Sequence, residues 1–421
     1  MENHSVKQLI SKGVKIQNPD SITIGDEVSI ERISGDGVVI HDGCRLFGSA
    51  TAIMSDCEIG YEGPVTIENC QLGRNVKLNG GFFSYSTFLE KTSFGFGAHV
   101  RAGCLVEEEA NGAHTVGLKQ TVLFPFVTLG SLINFCDCLM AGGTSRKNHS
   151  EVGSSYIHFN YTPDQDKATP SLIGDVPRGV MLNQKPIFLG GQGGLVGPVR
   201  LGYGTVIAAG TIYRKDFPQG DGLLFAGSAL KRQQAVYPGL YHNVKRIISN
   251  NMNYIANIIA LKRWYQDVRS LFFGPDPLEL AVYEGALEKI QMVLSERIKR
   301  LGELAERMPE STEIYRKVMK DRAPQNQLEL RREFFEYWPD IEKFLTDDTN
   351  TTGNPELKDE FLAHMSRTLQ EVGKDYIRVI QGLGGHGRKK GIEWLQGIVD
   401  EINRGVLGLM PSFHTKSQND H

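Results

Sequence analysis

No stretch of about 18 apolar residues occurs in the 421-residue chain, and no apolar run opens it. The sequence therefore predicts neither a membrane span nor a secretory signal. An excess of one charge is also lacking: 46 Lys and Arg against 49 Asp and Glu leave a net charge of -3. That balance gives no electrostatic reason to expect nucleic acid or an anionic membrane as partner. Cysteine is confined to the first third, as Cys44, Cys57, Cys70, Cys104, Cys136 and Cys138, with no Cys-x-x-Cys pair. Small buried hydrophobes in a reduced, cytoplasmic protein are the reading that fits. His99, His114, His149 and His158 show no four-residue separation of the kind that zinc sites on stacked coils use, so no metal is expected. Glycine is scarce in the second half, with 34 of 47 before residue 246.

What is present in the first half is a rhythm of six. Short β-like runs such as ITIGDEVSI, VVIHDGCRL, CQLGRNVKL and LVGPVRLGYGTVIAAGTI each carry an aliphatic residue followed by a glycine or small polar residue. An inward aliphatic every sixth residue, with a corner between, is what a parallel β-helix needs, and about ten coils of some 18 residues fit. Residues Glu107 to Gln120 blur the rhythm and are expected to protrude as a loop. From about residue 243 the apolar spacing changes to three and four, with Ile247, Ile248, Met252, Ile255, Ile258, Ile259 and Trp264 on one stripe. The fold class expected is a mainly β left-handed parallel β-helix of hexapeptide repeats over residues 1–236, followed by an all-α helical domain over 237–421. GLGGHGRKKG (382–391) reads as a connection between helices more readily than as a phosphate cradle.

The stretch from Gly142 to Asp216 interrupts the rhythm with polar residues, and chemistry on a repeating scaffold usually sits on such a loop. The residues R-K-N-His149, Asn160-Tyr161, Lys167, S-L-I-G-Asp175, Phe188-Leu189-Gly190-Gly191 and LVGPVRLGYGTVIAAGT occur there in order. This segment resembles the acetyltransferase half of the bifunctional N-acetylglucosamine-1-phosphate uridyltransferase/glucosamine-1-phosphate acetyltransferases. The Gly-rich signature of that family's nucleotidyltransferase domain is not found, and the helical second half has no counterpart that can be aligned.

The resemblance implies an acyltransferase that moves an acetyl group from acetyl-CoA to the amine of a sugar phosphate or nucleotide sugar. An amine protonated near neutral pH must lose a proton before attacking a thioester, so His149 is implied as general base. Asn160 and Tyr161 would orient it, and Lys147, Tyr156 and Lys167 would contact the substrate. Gly190, Gly191, Ala208, Ala209, Lys231 and Arg232 would contact CoA. The resemblance also implies a homotrimer with sites between subunits. The position of the family's upstream phosphate-gripping cation falls among Cys138, Leu139 and Met140, so no replacement is expected for it. The other reading of the same residues is a non-catalytic sugar-nucleotide-binding or scaffold protein, or the partner of a separate UDP-N-acetylglucosamine pyrophosphorylase-type nucleotidyltransferase.

Overall fold

The computed structural model describes residues 4–225, 235–347 and 352–414. Strands of two to four residues run from Lys15 to Leu224 and stack into three parallel sheets of eleven, ten and eight strands. They are called here faces I, II and III, in the order in which the chain visits them on each coil. This is the parallel β-helix that the six-residue rhythm predicts, with about eleven coils. On face I the inward positions pair in register from coil to coil: Ile40, Ile59, Leu78, Phe94, Gly112, Leu129, Val152, Leu189 and Ile207. Gly112 breaks that aliphatic row because a Cβ there would stand 2.8 Å from the Phe94 ring. Phe94 in turn meets Phe83 and Phe88 edge-on at centroid distances of 6.1 and 5.7 Å.

The corners explain why the rhythm fades in the sequence. Many turn through the left-handed region on residues other than glycine, among them Tyr85, Lys91, Glu109 and Thr115. The stretch 107–120, expected to protrude, is a regular coil with strands at Asn111–Gly112 and Val116–Lys119. Its acidic residues are polar because they face the helical region. Glu107 is buried and its Oε1 accepts from Tyr265 Oη at 2.6 Å. Arg269, also buried, pairs with Glu108 and lies 3.7 Å from the Tyr376 ring centroid.

Helix α1 (His4–Lys12) closes the N-terminal mouth of the prism with Val6 and Leu9, both buried. Helix α2 (Val176–Gly179) is inserted between faces III and I. After the last strand come α3 (Val244–Asp267), α4 (Pro277–Glu306), α5 (Met308–Met319), α6 (Gln325–Glu336), α7 (Trp338–Thr346), α8 (Pro355–Val372), α9 (Tyr376–Gly382) and α10 (Gly385–Gly408). Pro277 opens α4 where its missing N–H is not needed, and Asp276 caps the first turn through Leu278 N at 2.8 Å. Helices α3 and α4 lie along face III, so the prism and the helices share one continuous apolar core. No helix among the described residues is long and apolar enough to cross a membrane. All six cysteines are buried free thiols, and burial pushes those of Cys57, Cys70 and Cys104 up to about 12. The 382–391 stretch is not a connection but mostly the first turns of α10. Lys390 there pairs with Glu360 at 2.7 Å, and Gly391 packs on Met181 and Phe361.

Burial also pushes the Glu107 carboxyl up to about 7, against the pull of Arg269. The native state thus holds a proton that the unfolded chain has released, so this contribution to stability is full below the unfolded carboxylate value and is lost as pH rises through the folded one. Urea denaturation of Glu107→Gln is expected to remove part of the fall in unfolding free energy between about pH 5 and about pH 7.5. A slope equal to that of the unaltered chain would contradict this assignment.

Candidate functional site

A cleft of about 210 Å³ opens at the corner between faces II and III, lined by Arg101, Lys119, Asn134, Cys136, Asp137, Asn160, Tyr161, Lys167 and Glu296. Arg101 and Lys119 lie 18 residues and one coil apart, and the register pairs Lys119 with Cys136, so that Asp137 follows at the corner just beyond them. Asp137 takes the left-handed conformation there, with φ of 58°. Its side chain is buried and accepts from Asn160 Nδ2 at 2.5 Å through Oδ2, while Oδ1 lies 2.8 Å from Arg297 Nη2. Asn160 is thereby oriented from one coil below, and Tyr161 stands exposed beside it. Of the two carboxylates, Asp137 is held by Arg297 and Glu296 by Arg300 at 2.8 Å. Arg101, Lys119 and Lys167 are left as a group of three cations suited to an anionic group.

The helices hold the loop that forms one wall of this cleft. Arg297, from α4, donates to Lys167 O at 3.1 Å, and Asn251, from α3, to Ala168 O at 2.9 Å. Tyr241 Oη donates to Asp166 Oδ2 at 3.1 Å, and Arg307 reaches Asp164 O. Beneath the loop, His158 is fully enclosed between Cys136 O, which accepts from Nδ1 at 2.6 Å, and Ser171 Oγ, which donates to Nε2 at 2.8 Å. Burial pushes this imidazole down to about 4, so it is neutral and serves the core.

His149 lies elsewhere. It ends a short antiparallel hairpin, Gly143–Ser145 with Asn148–His149, at the corner between faces III and I. Nδ1 donates to Arg146 O at 2.9 Å, which leaves the Nε2 lone pair free, 3.6 Å from Glu151 Oε2. Arg146 ties the hairpin to the corner below through Phe126 O and Glu109 O, at 2.7 and 3.0 Å. Gln381, from α9, ties it from outside through Thr144 O at 2.6 Å. Lys147 is exposed at the hairpin tip.

Gly190, Gly191, Ala208 and Ala209 occupy the third corner, between faces I and II. Gly190 is buried, and a Cβ on it would stand 2.4 Å from Ala209 N, so close approach of the next coil accounts for this glycine. Ala209 is exposed. Tyr156 is buried inside the prism with no partner for its hydroxyl among the described residues, which makes it a core residue and not a contact for substrate. Lys231 and Arg232 lie outside the described residues. The residues singled out in the sequence are thus distributed over all three corners of one chain, and Asn160, Tyr161 and Lys167 are the ones that share a cleft. Arg101, Lys119 and Asp137 join them there, with the buried Arg297 holding Asp137 from behind. Arg101 and Lys119, from earlier coils, place two further cations in the cleft with Lys167.

The outer surface has one further asymmetry. Phe188, Val206 and Leu223 stack in register on the outside of face I, each more than a third exposed. On face II, Ile157 and Phe159 are exposed on one strand, and Ile212 lies in line with Ile157 two coils on, with Gly194 between them. Face III is covered by the helices.

Comparison with known proteins finds no matching family model. Curated relatives named bifunctional protein GlmU are similar over about half of this chain. The protein from Synechococcus elongatus is 29% identical over 214 residues, 51% of this chain and 42% of the relative. That from Nostoc sp. is 31% identical over 220 residues, 52% and 43%, and that from Thermotoga petrophila 28% over 214 residues, 51% and 42%. The chain spans less than half the length of these relatives. The similarity that the 142–216 segment predicts is therefore present and covers about half of this chain.

Proposed function

We propose that the chain is an acyltransferase of the hexapeptide-repeat class, taking an acetyl group from acetyl-CoA to the amine of a phosphorylated or nucleotide-linked amino sugar. The observation that carries this reading is the convergence of Arg101, Lys119 and Lys167 with Asn160 and Tyr161 in one cleft. Three cations would hold the phosphate while the polar pair contacts the sugar. The similarity to the GlmU proteins supports the same reaction class.

The complete site would form between copies of a homotrimer. The exposed apolar residues on faces I and II, beside a face III already covered, support packing face I of one copy against face II of the next. With the I–II corners toward the symmetry axis, the III–I corner of one copy meets the II–III corner of its neighbour. His149 would then stand beside the partner's Asn160, Tyr161 and Lys167. Its Nε2 would take the proton from the amine as the nitrogen attacks the thioester carbonyl and the CoA thiolate leaves, and Glu151 would stabilise the imidazolium. Lys147 would add a cation to the phosphate. Gly191, Ala208 and Ala209 border the same interface, and their small size would admit the pantetheine arm.

Calorimetric titration with glucosamine 1-phosphate tests the phosphate grip. Arg101→Ala and Lys119→Ala are each expected to weaken binding about tenfold, the lower range for a charge-assisted contact because both side chains are partly exposed. Acetyl-CoA affinity should stay within about twofold. Unchanged sugar-phosphate binding in both variants would remove the cleft as the acceptor site.

A second reading, a sugar-nucleotide-binding protein without turnover, has its own support: among the described residues of one chain no histidine lines the cleft, and both Asp137 oxygens are engaged. UDP-N-acetylglucosamine binding, with no acetyl transfer to any amino-sugar phosphate, would favour it.

A further inference from the structure

A second pocket, of about 410 Å³, lies where the III–I corners of four successive coils face the helical region. Met54, Arg74, Leu89 and Glu109 stand on the coil side, opposite Phe272 and Phe273 at the end of the turn that follows α3, Val282 of α4 and Tyr376 of α9. The volume falls in the range of small-molecule sites.

Five acidic and five basic side chains line this pocket, and they are almost fully paired with one another. Arg74 holds Glu279 at 2.5 Å, Lys91 holds Glu90 at 2.8 Å, Arg378 lies 3.6 Å from Asp375, and Arg269 pairs with Glu108. One carboxylate and one ammonium are left over. Among the described residues neither Glu109 nor Lys374 has an ion pair.

The inner wall is incomplete as well. Glu108 Oε2 and Arg269 Nε and Nη1 are buried without a hydrogen-bond partner among the described residues. Arg269 is 1% exposed, and the Tyr376 ring, 3.7 Å away, answers its charge but not those N–H groups. Buried polar groups are normally paired, so one open acceptor and two open donors on the same wall call for a ligand that both donates and accepts.

We propose that this pocket binds a zwitterion, an α-amino acid with a large apolar side chain. Its carboxylate meets Lys374 and the open N–H groups of Arg269, while its ammonium meets Glu109 and the open oxygen of Glu108. The apolar side chain lies among Leu89, Phe272, Phe273 and Val282. A phosphate dianion would face the uncompensated Glu109, and a neutral polyol would leave both charges unanswered. The pocket shares no lining residue with the acceptor cleft, so the inference goes beyond acyl transfer and does not depend on it.

Calorimetric titration of the full chain with L-phenylalanine and L-leucine tests the proposal, alongside their N-acetyl and amide forms, each of which lacks one charge. The unaltered protein is expected to bind at least one of the two amino acids saturably, and its blocked forms about tenfold more weakly or worse. Glu109→Gln and Lys374→Ala are each expected to weaken that binding about tenfold, the lower range for a charge-assisted contact because both side chains reach solvent. Neither side chain supports another residue through an ion pair, so both variants should melt with the unaltered protein. Arg101→Ala, in the acceptor cleft, should leave amino-acid binding unchanged, which separates this outcome from that of the sugar-phosphate titration. No saturable binding of either amino acid up to about 10 mM would overturn the proposal. Blocked forms that bind as tightly as the zwitterion, or unchanged binding in both pocket variants, would overturn it too.

Discussion

His149→Ala is expected to lower acetyl transfer by about a hundredfold to ten-thousandfold, the range that a positioned general base contributes. Binding of the sugar phosphate should change by less than about twofold, since in the proposed site the imidazole would touch the amine and the cations would hold the phosphate. The geometry supports this separation: Nδ1 is committed to Arg146 O, so Nε2 is the nitrogen with a free lone pair, and Glu151 stands behind it. Glutamine at position 149 should be as inactive as alanine, because it can donate and accept a hydrogen bond but takes no proton near neutral pH. Steady-state turnover and calorimetric affinity, measured on the same preparations, check the prediction. Substantial turnover in both variants would remove His149 from the chemistry.

Asp137→Ala should destabilise the fold by about 3–5 kcal/mol, the cost of leaving a buried cation without its partner. Arg297 is the cation, 1% exposed and 2.8 Å from the Asp137 carboxylate. A second contribution comes from the backbone, because Asp137 has a φ of 58° and alanine tolerates that region poorly. Asp137→Asn retains the conformation and isolates the charge term. The double variant Asp137→Asn with Arg297→Met should recover most of the loss, since removing both members of a buried pair is commonly close to neutral. Urea denaturation measures each. A loss under about 1 kcal/mol for Asp137→Ala would mean that water or another group compensates Arg297.

The solenoid was readable because each coil repeats one physical requirement, an inward aliphatic and a tight corner. Where a corner used Glu109 or Thr115 in place of glycine, or Gly112 replaced an aliphatic to fit Phe94, the rhythm faded and a regular coil resembled a loop. The acidic run at Glu107 and Glu108 was a signal of another kind: it marked where the helices dock, which needs the partner residues Tyr265 and Arg269 to be recognised. In the cleft, Asn160, Tyr161 and Lys167 were found because they are close in sequence. Arg101, Lys119 and Asp137 were not, because the coils differ in length and only the register, which pairs Lys119 with Cys136, brings Asp137 beside them. Arg297 could not have been found at all, because 130 residues separate it from Lys167, whose carbonyl it holds. Tyr156 shows the opposite failing, since nearness to a histidine in sequence does not say which side of the strand a ring faces.

The proposed acyl-transfer site is assembled from two corners on different copies. Subunit complementation tests it most directly. His149→Ala and Lys167→Ala are each purified, shown to be inactive and to keep the oligomeric state of the unaltered protein, then mixed in equal amounts under conditions that exchange subunits. If His149 of one copy serves Lys167 of its neighbour, random mixing creates intact sites at about a quarter of the interfaces, and activity should return to about a quarter of the unaltered level. No recovery, with exchange demonstrated by mass spectrometry, would contradict a site shared between copies.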